Sequence, residues 1–251
     1  MHPLNDQQAV LARATGYPYA LPHQSFVYHA GKPKSHQRVH DARDFPDVSG
    51  RTPVLAVGSN QSPEQLVRKF PDPDWGQIPT SRVHLTDFDT VYSAHVTSYG
   101  SIAATLHPTP GTCVSLYVNW LTEPQLKAMH ETELPNENYQ YGRLENIKLR
   151  TEAGPALSAV NLYMSKRGAY APTGNIIPLA EVPAQGRVQE AKTQTEILSL
   201  ARDQLAPELG LEHFIFSAIS NSEKRQTYIE ALGKTVQKFE SLHYASCPQK
   251  A

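Results

Sequence analysis

The pattern of apolar and polar positions changes period several times along the 251-residue chain, and each change marks an element. Residues 52 to 70, TPVLAVGSNQSPEQLVRKF, open with five consecutive apolar or small residues, Pro53 to Val57, which read as a buried strand. The run breaks at Gly58-Ser59-Asn60 and restarts as a helix. Ser62 stands at its N-cap, Pro63 at its first helical position, and Leu66, Val67 and Phe70 are expected to face inward. Such a junction is either a plain turn, since Gly tolerates positive φ and Ser and Asn bond their own backbone, or a place where backbone amides are presented to a ligand.

After this helix come short runs rich in β-branched and aromatic residues: VHLTDFDTVYSAHVT, GSIAATLHP and TCVSLYVNWL, separated by SYG and by the turn signal PTPG. They predict successive strands with hairpin punctuation. TEPQLKAMHETEL then predicts a helix capped by Thr122, with Pro124 in its first turn and Leu126 and Met129 on its apolar face. Two more strands, YGRLENIKLRT and SAVNLYMSK, bracket the turn EAGPA. From about Thr193 the spacing is helical, over TQTEILSLARDQLAPELG and NSEKRQTYIEALGKTVQKFESLHY. Before the main run, LNDQQAVLARA predicts a short helix capped by Asn5, and SHQRVHDARDFPDVSGRTP is polar and turn-rich, as a surface segment would be.

Composition narrows the function classes. Hydrophobic residues make up 39% of the chain, and no apolar run approaches the roughly 20 residues of a membrane-spanning helix. No secretory leader is evident at the start, so a cytoplasmic location is expected. With 23 basic against 24 acidic residues there is no general field to attract nucleic acid. Cys113 and Cys247 are too few and too far apart for a disulfide framework or a thiolate metal site. His36 and His40 have i,i+4 spacing near Asp41 and Asp44, but their turn-rich surroundings provide no rigid platform, and no metal site is expected. Ser59 lacks the second glycine of a nucleophile elbow, and no phosphate-loop Lys-Ser/Thr ending is present.

The order of these features resembles the γ-glutamylcyclotransferase family. Its strand-to-loop signature, an aromatic residue followed by Gly-Ser-Asn, corresponds to Val57-Gly58-Ser59-Asn60. Its helical glutamate pattern followed by a tyrosine-bearing strand corresponds to Met129-His130-Glu131-Thr132-Glu133, then Tyr139 and Tyr141-Gly142-Arg143. The resemblance covers roughly residues 52 to 205. It implies an α+β fold with a mixed β-barrel-like sheet and flanking helices, preceded by an extension over residues 1 to 51 and followed by a helical extension over 206 to 251. It departs from the family's pattern at Val57, where an aromatic is usual, at Gln61, where Leu or Met is usual, and at Ile176, where a tyrosine is usual; Tyr170 is close by.

The resemblance also implies a chemistry. A γ-glutamyl compound closes on itself, its α-amine attacking its γ-carbonyl, to give 5-oxoproline and a released amine, with no cofactor. An ammonium cannot attack, so a carboxylate must take its proton and can return one to the leaving nitrogen. By position in the family pattern that carboxylate is Glu133, with Glu131 the nearest competitor and Glu137 a weaker one. Two residues apart on a helix means about 200° of rotation, so Glu131 and Glu133 cannot face one pocket. Val57, Gly58, Ser59, Asn60, Tyr139 and Tyr141 are the implied substrate-binding residues. Burial in such a pocket is expected to raise the carboxyl pKa unless Arg143 opposes it. The alternative is a non-catalytic small-molecule-binding or interaction module with the same fold.

Overall fold

The computed structural model describes residues 3 to 32, 35 to 135 and 138 to 247. In chain order the elements are α1 (Pro3–Thr15), β1 (Phe26–His29), β2 (His36–Arg38), β3 (Thr52–Ala56), α2 (Pro63–Lys69), β4 (Gln77–Val96), β5 (Ile102–Leu121), α3 (Glu123–Glu133), β6 (Tyr139–Thr151), β7 (Leu157–Ser165), β8 (Ala169–Tyr170), β9 (Ala184–Gln185), α4 (Gln194–Leu205), α5 (Leu211–Ser220), α6 (Ser222–Leu232), β10 (Val236–Gln237) and β11 (Tyr244–Ser246). None of the described helices is long and apolar enough to cross a membrane.

Five strands close into a barrel. The pairing runs β4 to β5, β5 to β3, β3 to β7, β7 to β6, and β6 back to β4. Only β3 and β7 run parallel, with Val54 opposite Asn161 and Leu55 opposite Leu162, so the sheet is mixed and the fold α+β. Closure leaves no free edge inside the barrel and encloses a core in which Leu55, Val83, Leu85, Leu116, Leu144 and Leu162 are buried. α4, α5 and α6 carry Ile197, Leu198, Phe214 and Leu232 into the same core. A second cluster, under α2 and α3, gathers Phe26, Leu66, Phe70 and Met129.

Local chemistry explains the boundaries. Ser62 caps α2 by accepting from the Glu64 amide, and Thr122 caps α3 in a reciprocal capping box with Gln125. Leu66 and Phe70 lie one above the other and are fully buried, whereas Val67, rotated by about 100° from Leu66, is 40% exposed rather than inward-facing. α1 begins at Pro3, so Asn5 lies within it and not at its cap.

The PTPG turn signal does not reverse the chain. β5 runs continuously from Ile102 to Leu121, and residues 109 to 112 bulge from its ladder, because Phe88 of β4 stands opposite both Pro108 and Cys113. Asp87 and Gly111 supply the left-handed conformations at this irregularity (φ 67° and 83°), and the Asp87 carboxylate accepts from the Gly111 amide at 2.9 Å. The turn residues thus bend a long strand pair. Two further differences lie in the first and last fifths of the chain. His36–Arg38 forms an edge strand on β1, which itself pairs with β4. The apolar run Leu211–Ser220 is a helix of its own, and the final helical stretch stops at Leu232, after which the chain adds two short strands.

Candidate functional site

β3 carries the loop at its end into a cavity of about 620 Å³. Val57 is buried and lines the cavity together with Gly58, Ser59 and Asn60. Gly58 is not in a left-handed conformation (φ −113°), so its role is space: a Cβ there would stand 2.1 Å from the hydroxyl of Tyr17. That hydroxyl is fixed by accepting from the Ala104 amide at 3.0 Å. Gln61, the departure from the family's apolar residue, is fully buried and braces the loop by donating to the Val57 carbonyl at 2.8 Å. Asn119 of β5 donates to the Asn60 carbonyl at 3.0 Å. The amides of Gly58, Ser59 and Asn60 donate to no other described residue, which leaves three neighbouring donors at the cavity wall.

α3 brings Glu133 to the same cavity at its last residue. The Asn60 side-chain amide donates to Glu133 Oε1 at 3.0 Å, across 73 positions of sequence. Lys69, the last residue of α2, bonds the same oxygen and also donates to Thr132 Oγ1 at 2.9 Å. Burial alone would push the Glu133 carboxyl up, but the Lys69 charge and the hydrogen bonds from Lys69 and Asn60 outweigh it and hold the pKa below the ordinary carboxylate value. The expected upward shift is therefore reversed. The cause is a lysine, not Arg143, which is half-exposed and bonds Glu145 at 2.8 Å.

The remaining candidates separate. Tyr139 lines the cavity, its ring edge-on to His95 with centroids 6.3 Å apart. Tyr141 lies outside the lining, packed against His130 of α3 (4.7 Å) and Tyr163 (5.3 Å). Glu131 is exposed on the opposite side of the helix from Glu133, and Glu137 lies outside the described residues. Ile176 is buried in a small cluster with Val91 and Ala169, and Tyr170 is fully buried with its hydroxyl bonded to Gln204, so neither reaches the cavity.

Instead the cavity takes tyrosines from elsewhere: Tyr17 after α1, Tyr99 after β4 and Tyr163 of β7. Burial raises the pKa of each, keeping their hydroxyls protonated donors. His95 of β4 is held down to about pKa 4, by burial first and then by the charges of Arg167 and Arg225, so its imidazole is neutral near pH 7. Lys69, Tyr17, His95, Arg167 and Arg225 escaped sequence reasoning. Only Lys69 had a local signal, as the basic end of the helix that follows the loop. Among the described residues no group of His, Cys, Asp and Glu is arranged to hold a metal ion.

No family model matches the chain, and no curated protein matches it in sequence. Among solved structures it is similar to a γ-glutamyl cyclotransferase, at 17% identity, TM-score 0.38, with 76% of this chain and 91% of that one covered. It is similar to an uncharacterized human protein at 17% identity and TM-score 0.38, with 77% and 92% covered. A solution structure from Arabidopsis thaliana matches at 18% identity and TM-score 0.36, with 48% of this chain and 72% of that one covered.

Proposed function

We propose that the protein is a cofactor-free cyclotransferase that acts on a γ-glutamyl compound and releases 5-oxoproline together with an amine or amino acid. The observation that carries this reading is the hydrogen bond from Asn60 to Glu133, which puts the loop and the carboxylate at one cavity. The lowered pKa keeps Glu133 ionised at neutral pH, the form that accepts a proton, and makes it a weaker base than an unshifted carboxylate.

In this reaction the substrate's α-ammonium gives a proton to Glu133. The freed amine attacks the γ-carbonyl carbon and closes the lactam, the bond to the leaving nitrogen breaks, and the two protons that the attacking nitrogen sheds, one before and one after attack, pass by way of Glu133 to that nitrogen, which departs as an ammonium. No water is consumed. The uncommitted amides of Gly58 to Asn60 are suited to the carbonyl oxygen as charge develops on it, and a cavity that folds the substrate back on itself favours ring formation.

One observation favours a second reading. Lys69 already occupies the carboxylate, so the substrate's ammonium must displace it or share Glu133 with it, and a site locked by this pair would bind without turning over. That is the non-catalytic binding module. Release of 5-oxoproline from a panel of γ-glutamyl amino acids and amines decides: release that Glu133→Gln abolishes supports the cyclotransferase, and binding without release supports the module.

A further inference from the structure

The cavity is unbalanced in charge. Arg13, Arg68, Lys69, Arg167 and Arg225 line it, and Glu133 is the one acidic residue among the described lining residues. Two of these cations already face carboxylates, Lys69 at Glu133 and Arg68 at Glu64. Arg13 lies over the ring of Tyr99, 4.7 Å from its centroid. Arg167 and Arg225 have only neutral partners among the described residues. Arg167 donates through Nε and Nη2 to Asn138 Oδ1 at 3.2 and 3.1 Å. Arg225 donates through Nη1 to the Ala218 carbonyl at 2.6 Å. These bonds anchor each guanidinium and leave further N–H donors uncommitted.

His95 lies close enough to both arginines to feel their charge. It is nine-tenths buried on the cavity wall, and its Nδ1 has no hydrogen-bond partner. A buried polar atom without a partner, beside two cations without counter-charge, is an arrangement that a ligand completes. Guanidinium forks match carboxylates in shape as well as charge.

We infer that Arg167, Arg225 and His95 form an anion subsite that receives carboxylate on the leaving portion of the substrate, so that the preferred γ-glutamyl compounds are those whose released amine is itself acidic. The γ-glutamyl identity of the ligand rests on the proposed function; its negative charge rests on the cavity alone. Arg13 flanks the same space and adds to the field without bonding the carboxylate. Because His95 is uncharged near neutrality, it adds a hydrogen bond to this subsite and not a third positive charge.

The test is calorimetric titration of the full chain carrying Glu133→Gln, which stops turnover while leaving Lys69 the same in every comparison. The probes are γ-glutamylglutamate, γ-glutamylglycine and γ-glutamyl ethylamide, which differ in the number of carboxylates beyond the glutamyl unit. Affinity should fall in that order, with γ-glutamylglutamate favoured over the ethylamide by roughly 10- to 100-fold. Adding Arg167→Gln and Arg225→Gln together should erase that preference while ethylamide binding persists, which also reports that the variant is folded, and the two Lys replacements should restore part of it. Equal affinity for all three probes, or a preference that survives the double substitution, overturns the subsite. If none of the three binds, tricarballylate is titrated instead. Arginine-dependent binding of this tricarboxylate retains the anion subsite and removes the γ-glutamyl reading, and no binding overturns the subsite as well.

Discussion

The ammonium of Lys69 and the carboxylate of Glu133 meet at the C-terminal ends of two helices, with side chains only 8% and 16% exposed. A helix C-terminus carries partial negative charge, which suits Lys69 and disfavours Glu133. The pair thus resolves an electrostatic conflict that the end of α3 creates, and it explains how a largely buried carboxylate stays ionised.

Lys69→Met should leave Glu133 buried without its counter-ion. The carboxyl pKa then rises, since burial is no longer opposed, and the protein loses roughly 2–3 kcal/mol of stability at pH 7, somewhat less than breaking a fully buried pair because Glu133 keeps some contact with water. Adding Glu133→Gln should recover much of that loss. In the wild type the folded pKa lies below the unfolded value, so the contribution of Glu133 is complete above the unfolded carboxylate pKa and is lost as pH falls through the folded one. Carbon-13 NMR titration of glutamate carboxyls, with urea unfolding of the wild type and the two variants, checks both statements. An unchanged Glu133 pKa in Lys69→Met would show that the lysine is not what holds it down.

Gly58→Ala should destabilise the protein by about 1–3 kcal/mol, because the new methyl meets an anchored hydroxyl at 2.1 Å. Tyr17→Phe removes that oxygen, and the nearest ring atom is then 3.2 Å away. It also orphans the Ala104 amide, at about 1 kcal/mol. The double variant should therefore be more stable than the sum of the single losses, and urea unfolding of all four proteins measures the coupling. Strict additivity would place the clash elsewhere.

His95 gives a pH dependence of calculable sign. Its folded pKa, about 4, is below the ordinary histidine value of about 6.5, so between these values the unfolded chain binds a proton that the folded chain does not. Stability should fall by about 2 kcal/mol between pH 7 and pH 5 on this account. The groups that set this pKa are Arg167, Arg225 and Glu133, besides burial itself. Arg167→Gln should raise the His95 pKa, and His95→Gln should flatten the stability profile in that interval. Two-dimensional NMR of the imidazole protons follows the first and urea unfolding at the two pH values the second; a His95 titrating near 6.5 would contradict the assignment.

Much of the frame was legible because it is written locally. Ser62, Thr122 and Gln125 announce their helices by capping chemistry that needs no tertiary partner. The β-branched runs announce strands, and Gly58-Ser59-Asn60 announces a break after β3. Other features depend on distant neighbours. PTPG carries every local mark of a turn, yet the long pairing of β4 with β5 absorbs it as a bulge. Leu211 to Ser220 is apolar around much of its surface, which weakens the periodic signal, and only burial among α4, α6 and the barrel makes it a helix. The site divides in the same way. Glu133, at the end of a capped helix, could be singled out by its match to the family's pattern, but Tyr17, His95, Arg167 and Arg225 come from separated elements that only the closed barrel brings together. Tyr139 and Tyr141 look equivalent in sequence; the position of α3 puts one in the cavity and the other behind His130.

The most direct measurement is the rate of 5-oxoproline release by the wild type, Glu133→Gln and Glu131→Gln, with the best γ-glutamyl compound found in a panel. Glu133→Gln keeps the side chain's shape and an acceptor for Asn60 but cannot take the ammonium's proton, so turnover should fall by roughly two to four orders of magnitude. Glu131→Gln, exposed on the other side of α3, should stay within about twofold of the wild type. Near-wild-type turnover in Glu133→Gln, or no release by the wild type from any γ-glutamyl compound that binds, would contradict the cyclotransferase account.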